Sequence, residues 1–106
     1  QAAVKDLEDQ QKLRVKRIQR DALDRVLTEL TGFYRDVLAA QTAPGVELVN
    51  ADLASEIEPL ARRSTPEQTV HALDAILRAR TALEGNVAPL LALEALLIDL
   101  QFARRA

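Results

Sequence analysis

The longest uninterrupted helical pattern covers residues 3–41, which contain no proline and a single glycine, Gly32. A continuous helix of that length is about 60 Å long at 1.5 Å per residue. A globule of about 100 residues has a radius of gyration near 13 Å. The first part of such a helix must therefore project from its domain, fold back, or rest on another molecule. Residues 1–20 are the part that is expected to project.

The apolar residues of this stretch recur at steps of three and four, which indicates one amphipathic helix or two in close succession. They are Val4, Leu7, Val15, Ile18, Ala22, Val26, Leu30, Phe33 and Val37. The stripe widens after residue 20 through Leu23, Leu27, Tyr34 and Leu38. Gly32 costs about 1 kcal/mol relative to alanine inside a helix, which predicts either a break or a point of close packing.

Composition restricts the fold class. The 106 residues include 3 glycines and 4 prolines, too few for the many turns of an all-β domain. Alanine and leucine, both strong helix formers, dominate. We predict an all-α fold, a helical bundle of about four to five helices with a long N-terminal helix, forming a single domain over residues 1–106. Methionine is absent, which suggests a piece of a longer protein.

A connection at residues 42–49 contains a Pro-Gly pair, a strong turn signal. A short helix is predicted after it, over about 51–63. Asn50 is a suitable N-cap for this helix. Pro59 lies inside it, where the ring removes a hydrogen bond and should kink or split the helix.

The next helix begins at the clearest local signal in the chain. Thr65 caps it, Pro66 fits its first position, and Gln68 completes a capping box. The helix is predicted to end at Glu84, with Gly85 adopting the left-handed conformation behind it. Its inward side chains are expected to be Val70, Leu73, Ile76, Leu77 and Leu83.

The most apolar run is residues 85–100, in which Asn86 is expected to cap a last helix that ends near Arg104. The only acids of the run are Glu94 and Asp99. A helix that is apolar on nearly all sides is either buried in its own domain or covered by a partner. The run is too short for a bilayer, which needs roughly 20 apolar residues. We expect its outer side to contact another subunit and Glu94 to pair with an arginine.

Candidate catalytic residues are scarce. His71 is the only histidine and cysteine is absent. A nucleophile needs a base beside it, and a metal site needs several convergent ligands. The glycines stand far apart, so the chain has no glycine-rich loop that could bind phosphate. The sequence therefore predicts no enzyme activity, no catalytic residue, no cofactor and no metal site.

One run is strongly basic and contains no acid between its ends. Its charged residues are Lys12, Arg14, Lys16, Arg17 and Arg20. We interpret this run as a solvated helix face. The alternative interpretation is a patch that binds DNA phosphates or an acidic partner. The net charge of −2 argues against a dedicated nucleic-acid binder, whose domain pI usually exceeds about 9.

Two other functions remain open from the residues alone. The chain could be a self-associating helical module. It could also be an all-helical enzyme similar to chorismate mutase, since the region from Arg14 to Arg25 places arginines and acids at helical spacing. Such an active site needs cationic residues from several helices, and the later helices offer Arg62, Arg63, Arg78 and Arg80. The downstream Lys and Arg-Glu pattern of that family is missing.

Four segments resemble the C-terminal helical domains of bacterial clamp-loader subunits. They are Phe33-Tyr34-Arg35-Asp36-Val37-Leu38, Leu48-Val49-Asn50-Ala51-Asp52, Thr65-Pro66-Glu67-Gln68 and the run from Asn86 to Leu97. The likeness covers about residues 7–103 and is most specific to the delta-prime subunit of DNA polymerase III, of actinobacterial type. The gamma/tau subunits end in a similar domain.

The resemblance implies a collar domain that joins the subunits of a clamp loader and has no catalysis of its own. It implies gamma/tau and delta as partners, a cytoplasmic location, and neither a membrane nor a small-molecule substrate. The subunit interface is then expected to include Arg62, Arg63, Leu90, Leu93, Glu94, Leu97 and Asp99.

Overall fold

The computed structural model describes residues 1–105 and builds that part of the chain from helices alone. They are α1 (Ala2–Thr42), a 3₁₀ turn (Ala51–Leu53), α2 (Ala54–Arg63), α3 (Pro66–Glu84) and α4 (Pro89–Arg105). The predicted all-α bundle with a long N-terminal helix is confirmed.

Helix α1 runs without a break through Gly32. A β-carbon added at Gly32 would lie 3.4 Å from the side-chain nitrogen of Asn50, so the glycine marks close packing and does not interrupt the helix. Residues 1–19 are exposed throughout. The Cα radius of gyration is 17.7 Å and the principal extents are 64 × 28 × 18 Å, because α1 extends well beyond the packed helices.

The core lies between α1, α3 and α4. Helix α3 runs antiparallel to α1, with Arg80 3.6 Å from Asp24, and α4 runs back along α3, with Arg78 3.4 Å from Asp99. Leu27 is fully buried at the centre. The rest of the buried cluster comes from α3 and α4, and consists of Ala75, Ile76, Ala79, Leu83, Ala92 and Leu96.

Helix α3 buries Ile76 and Leu83 as predicted, but not all of its predicted inward residues face the core. Val70 and Leu77 are exposed, so their inward assignment is wrong. The buried positions follow steps of three and four and include small side chains: Thr69, Ala72, Ala75, Ile76, Ala79 and Leu83. Alanines at these positions permit close approach of neighbouring helices. The sequence prediction weighted large side chains and overlooked this stripe.

A similar shift applies to α1. Val15, Ile18 and Val26 are exposed, whereas Leu23, Leu27 and Tyr34 turn toward the core. Leu30 and Val37 of the predicted stripe also face the core, so the buried side of α1 combines part of that stripe with the residues that widen it.

The connection between α3 and α4 is closed by Asn86. Its φ is 69°, whereas Gly85 has an ordinary φ of −87°, so the left-handed residue was predicted one position too early. Val87 N–H donates to Ala82 O at 3.0 Å and Asn86 N–H donates to Leu83 O at 3.4 Å. This pair of bonds is the Schellman motif, which satisfies the last carbonyls of a helix. Helix α4 then begins at Pro89, so Asn86 does not cap it.

The predicted capping box of α3 is confirmed. Thr65 Oγ1 accepts from Gln68 N–H at 3.1 Å, and Gln68 Oε1 accepts from Thr65 N–H at 2.9 Å. Helix α2 differs from its prediction, because it continues through Pro59 as one helix and is preceded by the separate 3₁₀ turn. Leu53 holds its N-cap position.

The side chain of Asn50 does not cap a helix. It takes part in a hydrogen-bonded tether between its own loop and α1. Buried Asp36 on α1 accepts hydrogen bonds from the backbone N–H of Val49 (3.0 Å) and of Asn50 (2.7 Å), and from the Asn50 side-chain amide (2.9 Å). Burial by itself would raise the pKa of the Asp36 carboxyl, but these bonds outweigh burial and hold the pKa below its ordinary value. The carboxylate therefore fastens the incoming loop to α1.

We expect Asp36→Asn to lower the free energy of unfolding at pH 7 by about 1–3 kcal/mol, since an amide offers one acceptor oxygen where the carboxylate offers two. A depressed folded pKa contributes stability that is present above the unfolded pKa, about 3.9, and is lost as the pH falls through the folded pKa. The difference between wild type and variant should therefore shrink below about pH 4. Urea denaturation followed by circular dichroism across pH 2.5–7, chosen to bracket that range, measures it.

The matched control is Glu47→Gln, an exposed acid of the same loop. We expect the control to change the free energy of unfolding by less than about 0.5 kcal/mol. A pH-independent difference for Asp36→Asn would contradict the tether.

Candidate subunit-contact surface

Helix α4 has two unlike faces. Its buried residues include the small Ala92 and Ala103 together with Leu96. Its exposed face, called here the outer α4 face, carries large apolar side chains: Leu90, Leu91, Leu97, Ile98 and Phe102. Their exposed fractions range from 53% to 67%. Several leucines of α4 are therefore exposed while two of its alanines are buried, which is the reverse of the arrangement expected for a protein that functions as a monomer.

The arrangement follows from how α3 and α4 pack. Small residues on both helices fill much of their shared face beside Ile76 and Leu96, and Leu90, Leu91 and Leu97 of α4 lie on the exposed side. Soluble monomers rarely expose large contiguous apolar patches, and those patches mark interaction sites. The outer α4 face is therefore the strongest candidate for a contact with another protein.

The interface residues predicted on α4 lie in four different environments. Leu90 and Leu97 belong to the outer α4 face. Leu93 is half-buried against the bundle. Glu94 is exposed and forms no ion pair with the side chains of residues 1–104, so the expected arginine partner is not found among them. Asp99 lies 3.4 Å from Arg78 of α3 and thus has a partner in its own chain.

Sequence reasoning did not single out Leu91, Ile98 and Phe102. These residues are seven and four positions apart, which places them along one side of a helix. That spacing was visible in the sequence. The direction of the side was not, because the core-facing stripe of α4 is set by Ala92, Leu96 and Ala103, which have the same period.

Arg62 and Arg63 end α2 and point to different grooves. Arg63 lines a cleft with Tyr34 and Arg104. Arg62 lines a groove beside the 42–49 connection. Both arginines are exposed, but because they line different grooves they cannot both contact one small area of a partner.

The basic run does not form a single patch. Lys12, Arg14, Lys16 and Arg17 lie on the exposed part of α1. At about 100° per residue, the two lysines share one side of the helix and the two arginines lie roughly opposite. Arg20 is different, since its Nε is buried and finds no acceptor within residues 1–105. The four exposed cations therefore spread their positive charge over two sides of the helix and do not concentrate it in one patch.

The described residues do not assemble a metal centre, since no group of three or more potential ligands lies together among residues 1–105. His71 is exposed on α3. None of the helices over that range is both long and apolar enough to cross a membrane.

The arginines invoked for a mutase-like site do not converge. Arg78 and Arg80 are engaged with Asp99 and Asp24 on α4 and α1. Arg14 lies on the exposed first half of α1, before the part of this helix that packs against the other helices. The several cations that would surround a dicarboxylate are thus spread over the molecule.

The described residues form an all-α bundle that leaves several large apolar side chains of α4 exposed, although its core also contains large ones such as Leu27 and Ile76. The chain belongs to the family described as DNA polymerase III, delta subunit, C terminal, whose model matches residues 7–101. No match was found among curated proteins or among solved structures. The family match spans nearly the same residues as the resemblance noted from the sequence, and it establishes a DNA polymerase III subunit domain.

Proposed function

We propose that this chain is the collar domain of a bacterial clamp loader, a non-catalytic scaffold that joins subunits of the DNA polymerase III holoenzyme. Within the family, we assign it to the delta-prime type on the segments quoted above, with gamma/tau and delta as neighbours. The observation that carries the proposal is the outer α4 face, which offers apolar surface that the chain itself leaves uncovered.

The packing of the bundle supports a scaffold role. Residues that face one another across α1, α3 and α4 are fully or nearly fully buried, among them Leu27 and Ile76. Interiors of this kind are packed at crystal-like density and resist deformation. A rigid body of this kind gives other subunits a fixed surface to pack against.

Catalysis is not part of the proposal, and neither is a cofactor. The polar side chains that are buried, Asp36 and Thr69, are bonded to neighbouring segments of the bundle. Asp36 fastens the loop before the 3₁₀ turn to α1, and Thr69, which borders a cleft at the end of the bundle, is bonded to Gln41 of α1. A clamp-loader domain acts where the cell replicates its DNA, and we place it in the cytoplasm on that ground.

The test mixes the purified chain with the gamma/tau and delta subunits encoded by the same genome, followed by size-exclusion chromatography with light scattering. We expect a stable complex of defined stoichiometry, with the chain alone running as a monomer at the same concentration. Subunit contacts of standard size bury about 1,600 Å² in total, enough for a complex that survives the column.

A tight homodimer of the isolated chain would favour the self-associating module instead. Binding to neither subunit would reject the collar role. DNA affinity is measured in parallel at two salt concentrations, comparing wild type with a variant neutralised at Lys12, Arg14, Lys16, Arg17 and Arg20. Salt-sensitive binding that this variant loses would point to DNA as the ligand of the first helix.

A further inference from the structure

A cleft of about 280 Å³ lies at the end of the bundle where α2 and α4 finish and α3 begins. We call it the end cleft and define it by the residues that the argument uses: Tyr34, Leu60, Arg63, Leu100, Ala103 and Arg104. It lies apart from the outer α4 face, on the core-facing edge of α4. All four helices contribute to it, so its shape is set by the fold and not by one loop.

The end cleft carries charge of one sign. Its lining includes two guanidinium groups, those of Arg63 and Arg104, and no carboxylate. Two other grooves carry both signs. Glu58 and Arg62 of α2 both line one of them, and Asp74 lies with two arginines in the other. The end cleft differs from these two grooves in having cations and no carboxylate in its lining.

The other polar residues of the lining, Ser64, Gln68 and Thr69, already form hydrogen bonds. Gln41 of α1, behind the lining, donates to Ser64 O (3.1 Å) and to Ser64 Oγ (3.0 Å), and accepts from Thr69 Oγ1 at 2.8 Å. Gln68 completes the capping box and donates to Arg104 O at 3.1 Å. These bonds fix the walls of the cleft and leave the arginines as its available donors.

The Tyr34 hydroxyl is a third available donor. The ring packs edge-on against Phe33, with centroids 5.4 Å apart. Burial raises the pKa of Tyr34, and the positive charge of Arg104 opposes that shift only partly, so the hydroxyl stays protonated at neutral pH. No hydrogen bond joins this hydroxyl to a side chain of residues 1–104 or to the backbone of residues 1–105.

We propose that the end cleft binds a carboxylate of a neighbouring subunit, with an apolar group beside that carboxylate resting on the floor formed by Leu60, Leu100 and Ala103. Guanidinium groups bind carboxylates through paired charge-assisted hydrogen bonds. The volume lies at the small end of the range of ligand pockets, which starts at about 300 Å³, and it has room for a single residue. A bare phosphate has no apolar part with which to cover the floor. The neighbour's identity rests on the proposed function.

Both arginines also lie in the last turn of their helices, where a cation stabilises the helix dipole. That role needs no ligand, and by itself it would account for the positions of the two arginines. It predicts no selectivity for a carboxylate with an apolar neighbour, so selectivity is the property to measure.

The probe is N-acetyl-leucine, which combines a carboxylate and an isobutyl group, compared with N-acetyl-leucinamide and inorganic phosphate. Each is titrated into the ¹⁵N-labelled chain and followed by two-dimensional NMR. We expect N-acetyl-leucine to shift the amides around Tyr34 and Ala103, with at least tenfold weaker binding of the neutral amide and of phosphate. Arg63→Gln should weaken binding at least fivefold, and the adjacent Arg62→Gln less than twofold.

Equal binding of acid and amide, or of acid and phosphate, would overturn the proposal. So would equal losses in the two arginine variants. The subunit mixture supplies a second readout, in which Arg63→Glu should weaken the complex at least tenfold more than Arg62→Glu. If wild type forms no complex, the collar role fails while the titration still decides the carboxylate site. If the complex forms and both glutamate variants behave alike, the carboxylate site is rejected and the collar role stands.

Discussion

Replacing Leu27 by alanine is expected to lower the free energy of unfolding by about 3–5 kcal/mol. Leu27 is fully buried, and it contacts a cluster drawn from α3 and α4. Many of its neighbours there are alanines, which cannot reach across to fill the space that the lost isobutyl group leaves. For a domain of this length, the loss corresponds to a fall in thermal midpoint of roughly 15–25 °C. Differential scanning calorimetry and urea denaturation measure both quantities.

The control is Val26→Ala, one residue earlier on the same helix. Val26 is 48% exposed, so little burial is lost, and alanine has the higher helix propensity. We expect a change within about 0.5 kcal/mol. Similar losses at both positions would mean that the buried face of α1 is not the one described, and that the apolar stripe through Val26 forms the core.

The second large effect is expected on the outer α4 face. The double variant Leu91→Asp/Ile98→Asp should weaken binding to the clamp-loader subunits at least about 100-fold. Each of these side chains, when covered by a partner, contributes about 1.5–3 kcal/mol, and a buried aspartate adds a desolvation cost. Because both residues are exposed in the free chain, the variant should fold normally. Pull-down titration gives the affinity, and a thermal melt checks the fold.

Helix α3 provides a matched control for this variant. Val70 and Leu77 are also exposed, apolar and seven residues apart, so Val70→Asp/Leu77→Asp introduces the same charge at the same spacing. We expect this control to retain binding within about threefold, which is less than about 1 kcal/mol. Loss of binding in the control alone would move the contact to α3. Equal loss in both variants would indicate a general effect of negative charge.

The signals that predicted the fold correctly are local ones. The capping box at Thr65 and Gln68 was readable because its donors and acceptors lie within four residues. The length of α1 followed from the absence of proline across its span. The overall class followed from composition.

The predictions that failed depend on contacts between distant parts of the chain. Whether Val70 or Ala72 faces inward is decided by how closely α3 approaches its neighbours, and both positions fit a helical period. Asn50 was assigned as a cap because a local partner suits asparagine, yet the carboxylate of Asp36, 14 residues earlier, holds it. Asn86 takes the left-handed position although glycine is the more frequent choice there.

The candidate surface was predictable in part. The excess of apolar residues in 85–100 indicated a helix that is buried in the domain or covered by a partner. The structure adds which side of this helix the domain itself leaves exposed. The end cleft could not be foreseen from the sequence, since Tyr34, Arg63 and Arg104 come from three helices and meet only in the folded chain.

The exposed first half of α1 has a thermodynamic consequence. Starting a helix is costly because several residues are ordered for the first hydrogen bond, whereas each later residue only extends it. Residues 1–19 extend a helix already held by the bundle at Leu23 and Leu27, so they avoid that starting cost. Their opening is then expected to proceed from the N-terminal end inward. A molecule that binds the Val4–Ile18 stripe meets an ordered helix and loses less entropy on binding than it would with a free peptide.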